Sequence, residues 1–139
     1  MSGRENEQLI ERMAIEVLEA TAARVVARMP VEGNRQPFGL LHGGAFCVIG
    51  ETVGSIAANL HAGNDGMAVG IEINATHHRS AREGFVTATA VALSLGRTLC
   101  SHQVEIRDES GTLLSTVRIT NLIRRTERAS IVTDPASAA

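Results

Sequence analysis

The chain has 139 residues, enough for one compact domain and too few for two of ordinary size. Hydrophobic residues make up 44% and charged residues 20%, which supports a buried core and excludes wholesale disorder. A net charge of -2 and an aromatic content of 2% argue against a cationic field for a phosphate backbone and against a base-stacking surface, so nucleic acid is a poor partner.

Taken in chain order, residues 4–13 set charges around Leu9, Ile10 and Met13, which predicts a short amphipathic helix within an N-terminal segment of residues 1–14. From Ile15 to Met29 the pattern alternates, with Ala23, Val25, Ala27 and Met29 on one side and Arg24 and Arg28 on the other. This reads as a long strand with a possible break near Ala20. Pro30 ends it, and Gly33, Asn34 and Pro37 mark a loop to Gly39. Residues 45–60 then form an apolar run of about four helical turns in which Glu51 is the sole charge. A helix apolar on nearly all sides belongs inside a protein. After the loop Gly63-Asn64-Asp65-Gly66, four strands follow over residues 67–77, 85–95, 99–107 and 112–123, with a hairpin turn at Asp108-Glu109-Ser110-Gly111. In the first of these, Met67, Val69, Ile71, Ile73 and Ala75 alternate with Ala68, Gly70, Glu72, Asn74 and Thr76. Residues 124–139 read as a flexible polar tail.

One helix without a polar side must be wrapped by the sheet. The expectation is an α+β domain over residues 15–123: a curled antiparallel sheet of five strands round one long central helix. Such a sheet leaves edges and one helix flank uncovered, which argues for a dimer. The N-terminus lacks the apolar core of a secretory signal, and no run approaches the ~20 apolar residues of a membrane span. Cys47 and Cys100 form neither a CxxC nor a Cys/His cluster and read as buried free thiols, so a zinc site is not expected. A soluble cytoplasmic protein is expected.

The candidate chemistry starts at Glu51. A carboxylate on a helix that must be buried is costly unless partnered, and such groups are often catalytic. A structural role, reaching a cap or an ion pair, stands level with that reading. Cys47, Glu51 and Ser55 lie at i, i+4 and i+8 on one stripe. Gly43 and Gly44 open the helix and expose backbone N–H groups at its positive end, a place that stabilises an oxyanion, although two glycines alone more often make a tight turn. His42 reads as a polar residue at the helix entry. Gly43 and Glu51 are eight residues apart on one helix, about 12 Å, whereas groups acting on one carbonyl must lie within about 3 Å of it. A working site would therefore pair Gly43 of one subunit with Glu51 of another. His77 and His78 diverge on a strand and lack a third ligand, so no metal is expected there. Ser94-Leu95-Gly96-Arg97-Thr98 serves equally as a phosphate-holding loop or a plain turn, and Arg124 and Arg125 could reach an anionic ligand.

The stretches Gln36-Pro37-Phe38-Gly39-Leu40-Leu41-His42-Gly43-Gly44 and Glu51-Thr52-Val53-Gly54-Ser55 resemble the hotdog-fold thioesterases, in particular the branch acting on aryl-CoA and aryl-carrier thioesters. Asn74-Ala75-Thr76-His77-His78-Arg79 and Leu95-Gly96-Arg97 are similar to that branch too, and the likeness spans roughly residues 15–123. The resemblance implies hydrolysis of an acyl-CoA thioester with Glu51 as nucleophile or general base. It implies Gly43 N–H as the oxyanion donor helped by Gln36, and His42 as the group that orients the thioester. It further implies that Ser55 and His77 line the acyl or water side, and that Gly70, His77, His78, Arg79, Ser80, Ser94, Leu95, Gly96, Arg97, Thr98 and Leu99 contact CoA or its pantetheine arm. Ser80 stands where relatives often have Pro, and Ser94 where they often have His. No metal or cofactor is implied beyond the CoA of the substrate, and a homotetramer built from dimers is the family habit. A non-catalytic acyl-CoA-binding module on the same fold is the alternative; a dehydratase or hydratase fits the His42-to-Glu51 spacing poorly.

Overall fold

The computed structural model describes residues 7–125. A single helical turn, α1 (Leu9–Arg12), stands where the amphipathic pattern predicts a helix, and Ala14 turns the chain at φ 57° into β1 (Glu16–Ala20). The alternation up to Met29 does not make one strand. The Thr21 hydroxyl donates to Arg24 O and accepts the Arg24 N–H, each at 3.0 Å, which closes a turn after Ala20 and folds β2 (Arg24–Pro30) back on β1. The sheet accordingly has six strands rather than the five expected. In β2 the inward set Val25, Ala27 and Met29 is fully buried, while Arg24 and Arg28 stay outside and pair with Glu19 and Glu16.

The long helix α2 (Gly43–Ala62) precedes β3 (Gly66–His77), β4 (Phe85–Leu95), β5 (Leu99–Arg107) and β6 (Leu113–Arg125). The strand order is β1-β2-β4-β5-β6-β3, with every neighbour antiparallel. Ile49, Val53 and Ala57 of α2 join Val104, Val117 and Ile119 of the sheet in the main core. Glycine permits this contact. A Cβ on Gly50 would stand 2.9 Å from a Val117 methyl, and one on Gly54 only 2.1 Å from a methyl of Ile119. The helix backbone thus rests directly on β6.

The sheet covers α2 on one side and does not close round it. Cys47 and Ser55 are half-buried, and Glu51 and Asn59 are exposed on the outer flank. The expectation of a buried Glu51 is therefore corrected within the protomer, and the expected uncovered flank is present. Cys100 is buried but Cys47, on that flank, is only half-buried; both thiols are free. A second correction concerns length. At 20 residues and mean hydropathy 1.2, α2 is long and apolar enough to pass for a membrane span by composition, yet its packing against the sheet makes it the core helix of this fold.

β3 forms an edge of the sheet. A register shift between Gly70 and Glu72 breaks its alternation, so Ala68 is buried while Met67, Ile71 and Ile73 are exposed. Its apolar residues do not make a core face. β6 runs two residues beyond the predicted end; the proposed flexible tail from residue 126 and the first six residues lie outside the described residues.

Candidate active site

The loop before α2 is built to present its N-terminus. Asn34 Nδ2 donates to Met13 O at 3.0 Å and to Pro30 O at 2.9 Å, His42 N–H reaches Asn34 O, and Leu41 N–H reaches Ala81 O at 2.8 Å. Within it, Gln36 Oε1 accepts the N–H groups of Phe38 and Leu40. Its carbonyl is thereby spent on the loop, and its NH2 is the end left to face a ligand. His42 caps the helix: Nδ1 accepts the Gly44 N–H at 2.8 Å. An Nδ1 that accepts leaves the proton of the neutral ring on Nε2. The polar-entry reading of His42 is thus met, and Gly43 N–H makes no hydrogen bond among the described residues.

A cavity of about 300 Å³ opens beside this N-terminus, lined by Gln36, Leu40, Leu41, Gly43, Phe46, His77, His78, Arg79 and Ser80. His77 crosses its floor. A Cβ on Gly43 would lie 3.2 Å from His77 Nε2, and the imidazole sits 5.1 Å from the Phe46 ring. Ser115 Oγ donates to Thr76 O at 3.2 Å and lies 2.9 Å from His77 Nδ1. With its proton committed to Thr76, Ser115 accepts from Nδ1–H, so Nε2 presents a lone pair toward the start of α2. Burial, and after it the neighbouring His78, lower the His77 pKa below that of a free imidazole. His78 points the other way, to Thr116 Oγ1 at 2.9 Å.

Glu51 does not line this cavity. It lies over Gly70 of β3, where a Cβ would come within 2.8 Å of Glu51 Oε1. No hydrogen bond or ion pair to it occurs among the described residues, so the structural reading of Glu51 as a capping or ion-paired group finds no partner. Ser55, a turn further on, lies 3.5 Å from Asn121 Oδ1. Gly70 is thus placed beneath the carboxylate rather than beside residues 77–80. The Ser94–Leu99 segment lies at the other end of α2: Gly96 O accepts from His61 Nε2 at 2.6 Å, and Arg97 O accepts from Arg125 at 3.4 Å. It forms a tight turn, since a Cβ on Gly96 would meet Leu99 O at 2.5 Å. One protomer therefore assembles Gln36, Gly43, His77, His78, Arg79 and Ser80, but holds Glu51 and Ser55 midway along α2, with Gly70 of β3 beneath the carboxylate, and Ser94–Leu99 at the far end of the helix. No group of metal-ligating side chains occurs among the described residues.

Asn121 and Ser115 are fully buried polar residues that the sequence reading passed over. Their signal was parity. Both fall on the inward set of β6 with Val117, Ile119 and Ile123.

Residues 38–115 match the family model of the thioesterase superfamily. The chain belongs to the thioesterase superfamily. Its members among the relatives include the 1,4-dihydroxy-2-naphthoyl-CoA hydrolase of Escherichia coli strain K12, 45% identical over 81% of this chain and 79% of that protein. The proofreading thioesterase EntH of Cronobacter turicensis is 38% identical over 83% of this chain and 85% of its own length. Among solved structures, a thioesterase of Haemophilus influenzae superposes with a TM-score of 0.82 at 36% identity, covering 86% of this chain and 85% of that one. A thioesterase of Pseudomonas aeruginosa gives 0.81 at 33% identity, over 90% and 91%. The antiparallel sheet on one long helix is the hotdog fold of these thioesterases, and the chain is a thioester hydrolase.

Proposed function

We propose that this thioesterase hydrolyses aryl-CoA thioesters to the free acid and CoA, in a site shared by two subunits. The observation that carries the reading is the division of parts along α2. An unengaged N–H at Gly43 and an unpaired carboxylate at Glu51 stand eight residues apart, about 12 Å at 1.5 Å per residue. Two α2 helices antiparallel across a two-fold axis bring the Gly43 end of one against the Glu51 flank of the other. The same operation brings the Ser94–Leu99 turn of one subunit toward His77–Ser80 of the other. The exposed edge strand β3, with Met67, Ile71 and Ile73 uncovered, supplies the surface for that pairing. Exposed Val91, Leu93, Leu95 and Leu99 on β4 and β5 offer a second contact, for a tetramer of two dimers.

In this reading the Gly43 N–H and the Gln36 NH2 hold the carbonyl oxygen as it becomes an oxyanion. His42 orients the thioester. Glu51 of the partner subunit acts as general base toward water or as nucleophile on the carbonyl carbon. The C–S bond then breaks and CoA leaves as the thiol. The chemistry calls for no cofactor besides the CoA carried by the substrate, and a cytoplasmic location is part of this reading. The aryl preference is supported by the relative named as a 1,4-dihydroxy-2-naphthoyl-CoA hydrolase and by the resemblance that glutamate at position 51 bears to the aryl-CoA branch.

Thiol release from benzoyl-, 4-hydroxybenzoyl-, 1,4-dihydroxy-2-naphthoyl-, phenylacetyl- and hexanoyl-CoA tests the proposal. The aryl thioesters are expected to turn over fastest, and Glu51→Gln to lower kcat by about 10²- to 10⁴-fold with an unchanged thermal midpoint. Near-normal turnover by folded Glu51→Gln would remove Glu51 from the mechanism. Binding of CoA thioesters without hydrolysis of any of them would instead make the chain a binding module.

A further inference from the structure

Asn121 is fully buried on β6, and its Nδ2 has no hydrogen-bond partner among the described residues. Its inward neighbours Val117, Ile119 and Ile123 are apolar, so an amide interrupts a hydrocarbon face where a branched aliphatic residue would suit a strand better. A buried donor without an acceptor weakens a fold. The placement has a direction. A Cβ on Gly70 would stand 2.8 Å from Glu51 Oε1 and 3.8 Å from Asn121 Oδ1, so carboxylate and amide converge on the same point above β3. The Ser55 hydroxyl donates to Asn121 Oδ1 at 3.5 Å, and Ser55 lies one helical turn from Glu51 on the same stripe of α2.

We propose that Asn121 is a positioning residue for hydrolysis: it fixes the Ser55 hydroxyl so that Ser55 and Glu51 together hold the attacking water. This rests on Glu51 acting as general base. With its proton directed to Asn121, Ser55 Oγ turns a lone pair toward the Glu51 flank. A water between them donates one hydrogen to Glu51 and the other to Ser55 Oγ, which leaves its own lone pair for the thioester carbonyl. On attack the C–O bond forms and the water proton passes to Glu51. The C–S bond then breaks, and the proton leaves on the thiol sulfur.

The test is a double-mutant cycle on the full chain with an aryl-CoA that the wild type hydrolyses. Asn121→Leu keeps the volume and removes the amide. It is expected to lower kcat about tenfold or more, to leave KM within about twofold, and not to lower the thermal midpoint, since it also removes an unpaired buried donor. Ser55→Ala should lose a similar factor, and the double variant should lose no more than the larger single loss. A kcat within about twofold of wild type for Asn121→Leu, or losses that multiply in the double variant, would overturn the proposal. Asn121→Ala takes the place of Asn121→Leu in the same cycle if the leucine protein does not fold. Glu51→Gln runs alongside: an active Glu51→Gln protein fails the reading of the base, whereas an inactive one beside a fully active Asn121→Leu fails this inference alone.

Discussion

The carboxylate of Glu51 rests on Gly70, and that contact makes the glycine a sensitive reporter. A methyl at position 70 would stand 2.8 Å from Oε1, too close to remain. The far end of a glutamate moves at little cost, so Gly70→Ala should leave the thermal midpoint nearly unchanged while displacing the base. A displacement of about 1 Å is enough for a loss of order 10²-fold, so kcat should fall by about 10- to 100-fold in the thiol-release assay. His77 gives a second prediction at this scale. Burial and the adjacent His78 hold its folded pKa below the usual imidazole value. The unfolded chain therefore binds the proton more readily, and stability declines as pH falls from about 6.5 toward the lower folded value. His77→Gln removes that dependence, so urea midpoints measured at about pH 7.5 and about pH 5 should diverge less in the variant than in the wild type. Equal divergence in the two proteins would show that His77 does not titrate with folding.

The α2–β6 contact governs the position of everything on the helix. Gly50 and Gly54 let its backbone settle against Val117 and Ile119 with no intervening side chains, and Glu51, between them, takes its height above Gly70 from that contact. Alanine at position 54 gains up to about 1 kcal/mol of helix propensity. Against this, its methyl would lie 2.1 Å from a methyl of Ile119, which is fully buried and, being β-branched, stiff at χ1. Overpacking wins: Gly54→Ala should destabilise the protein by about 1–3 kcal/mol in urea unfolding, and a stabilised variant would mean that helix and strand yield more readily than their packing indicates.

Across the whole molecule, the distance between the Gly43 end and the Glu51 flank predicts complementation between subunits. A Glu51→Gln chain retains its Gly43 end, and a Gly43→Val chain retains its Glu51. Each homomer should be inactive. Mixed dimers should regain one intact site of two, with turnover rising on co-refolding toward about a quarter of wild type for a statistical mixture, because half the dimers are mixed and each has half its sites. A site contained in one protomer would give no recovery. The edge strand makes a related statement: Ile73→Pro, on the exposed part of β3, should weaken the dimer and make activity depend on protein concentration, which light scattering and dilution series would register.

Much of this was legible in the sequence, because local chemistry decided it. Strand periodicity located β2 and β4 to β6, and the apolar run around Glu51 located α2. The resemblance of the stretches Gln36 to Gly44 and Glu51 to Ser55 to the hotdog-fold thioesterases pointed to the superfamily to which the chain belongs. The break at Thr21–Ala23 was only hinted at, because it rests on a side-chain turn between Thr21 and Arg24 rather than on hydropathy. The exposure of Glu51 and of the apolar residues of β3 was not legible, because an alternating pattern shows that a face exists but not what covers it. Asn121 had an inward parity that could be read, yet its meaning depends on Ser55 and Glu51, residues 66 and 70 positions away along the chain. The sequence by itself determined the helix and most of the strands, since those follow from propensity and periodicity within short windows, and its motifs carried the type of chemistry by their resemblance to the thioesterases. Only the tertiary structure decided which polar groups converge, because convergence depends on sheet order and on the approach of α2 to β6, and both are set by long-range packing.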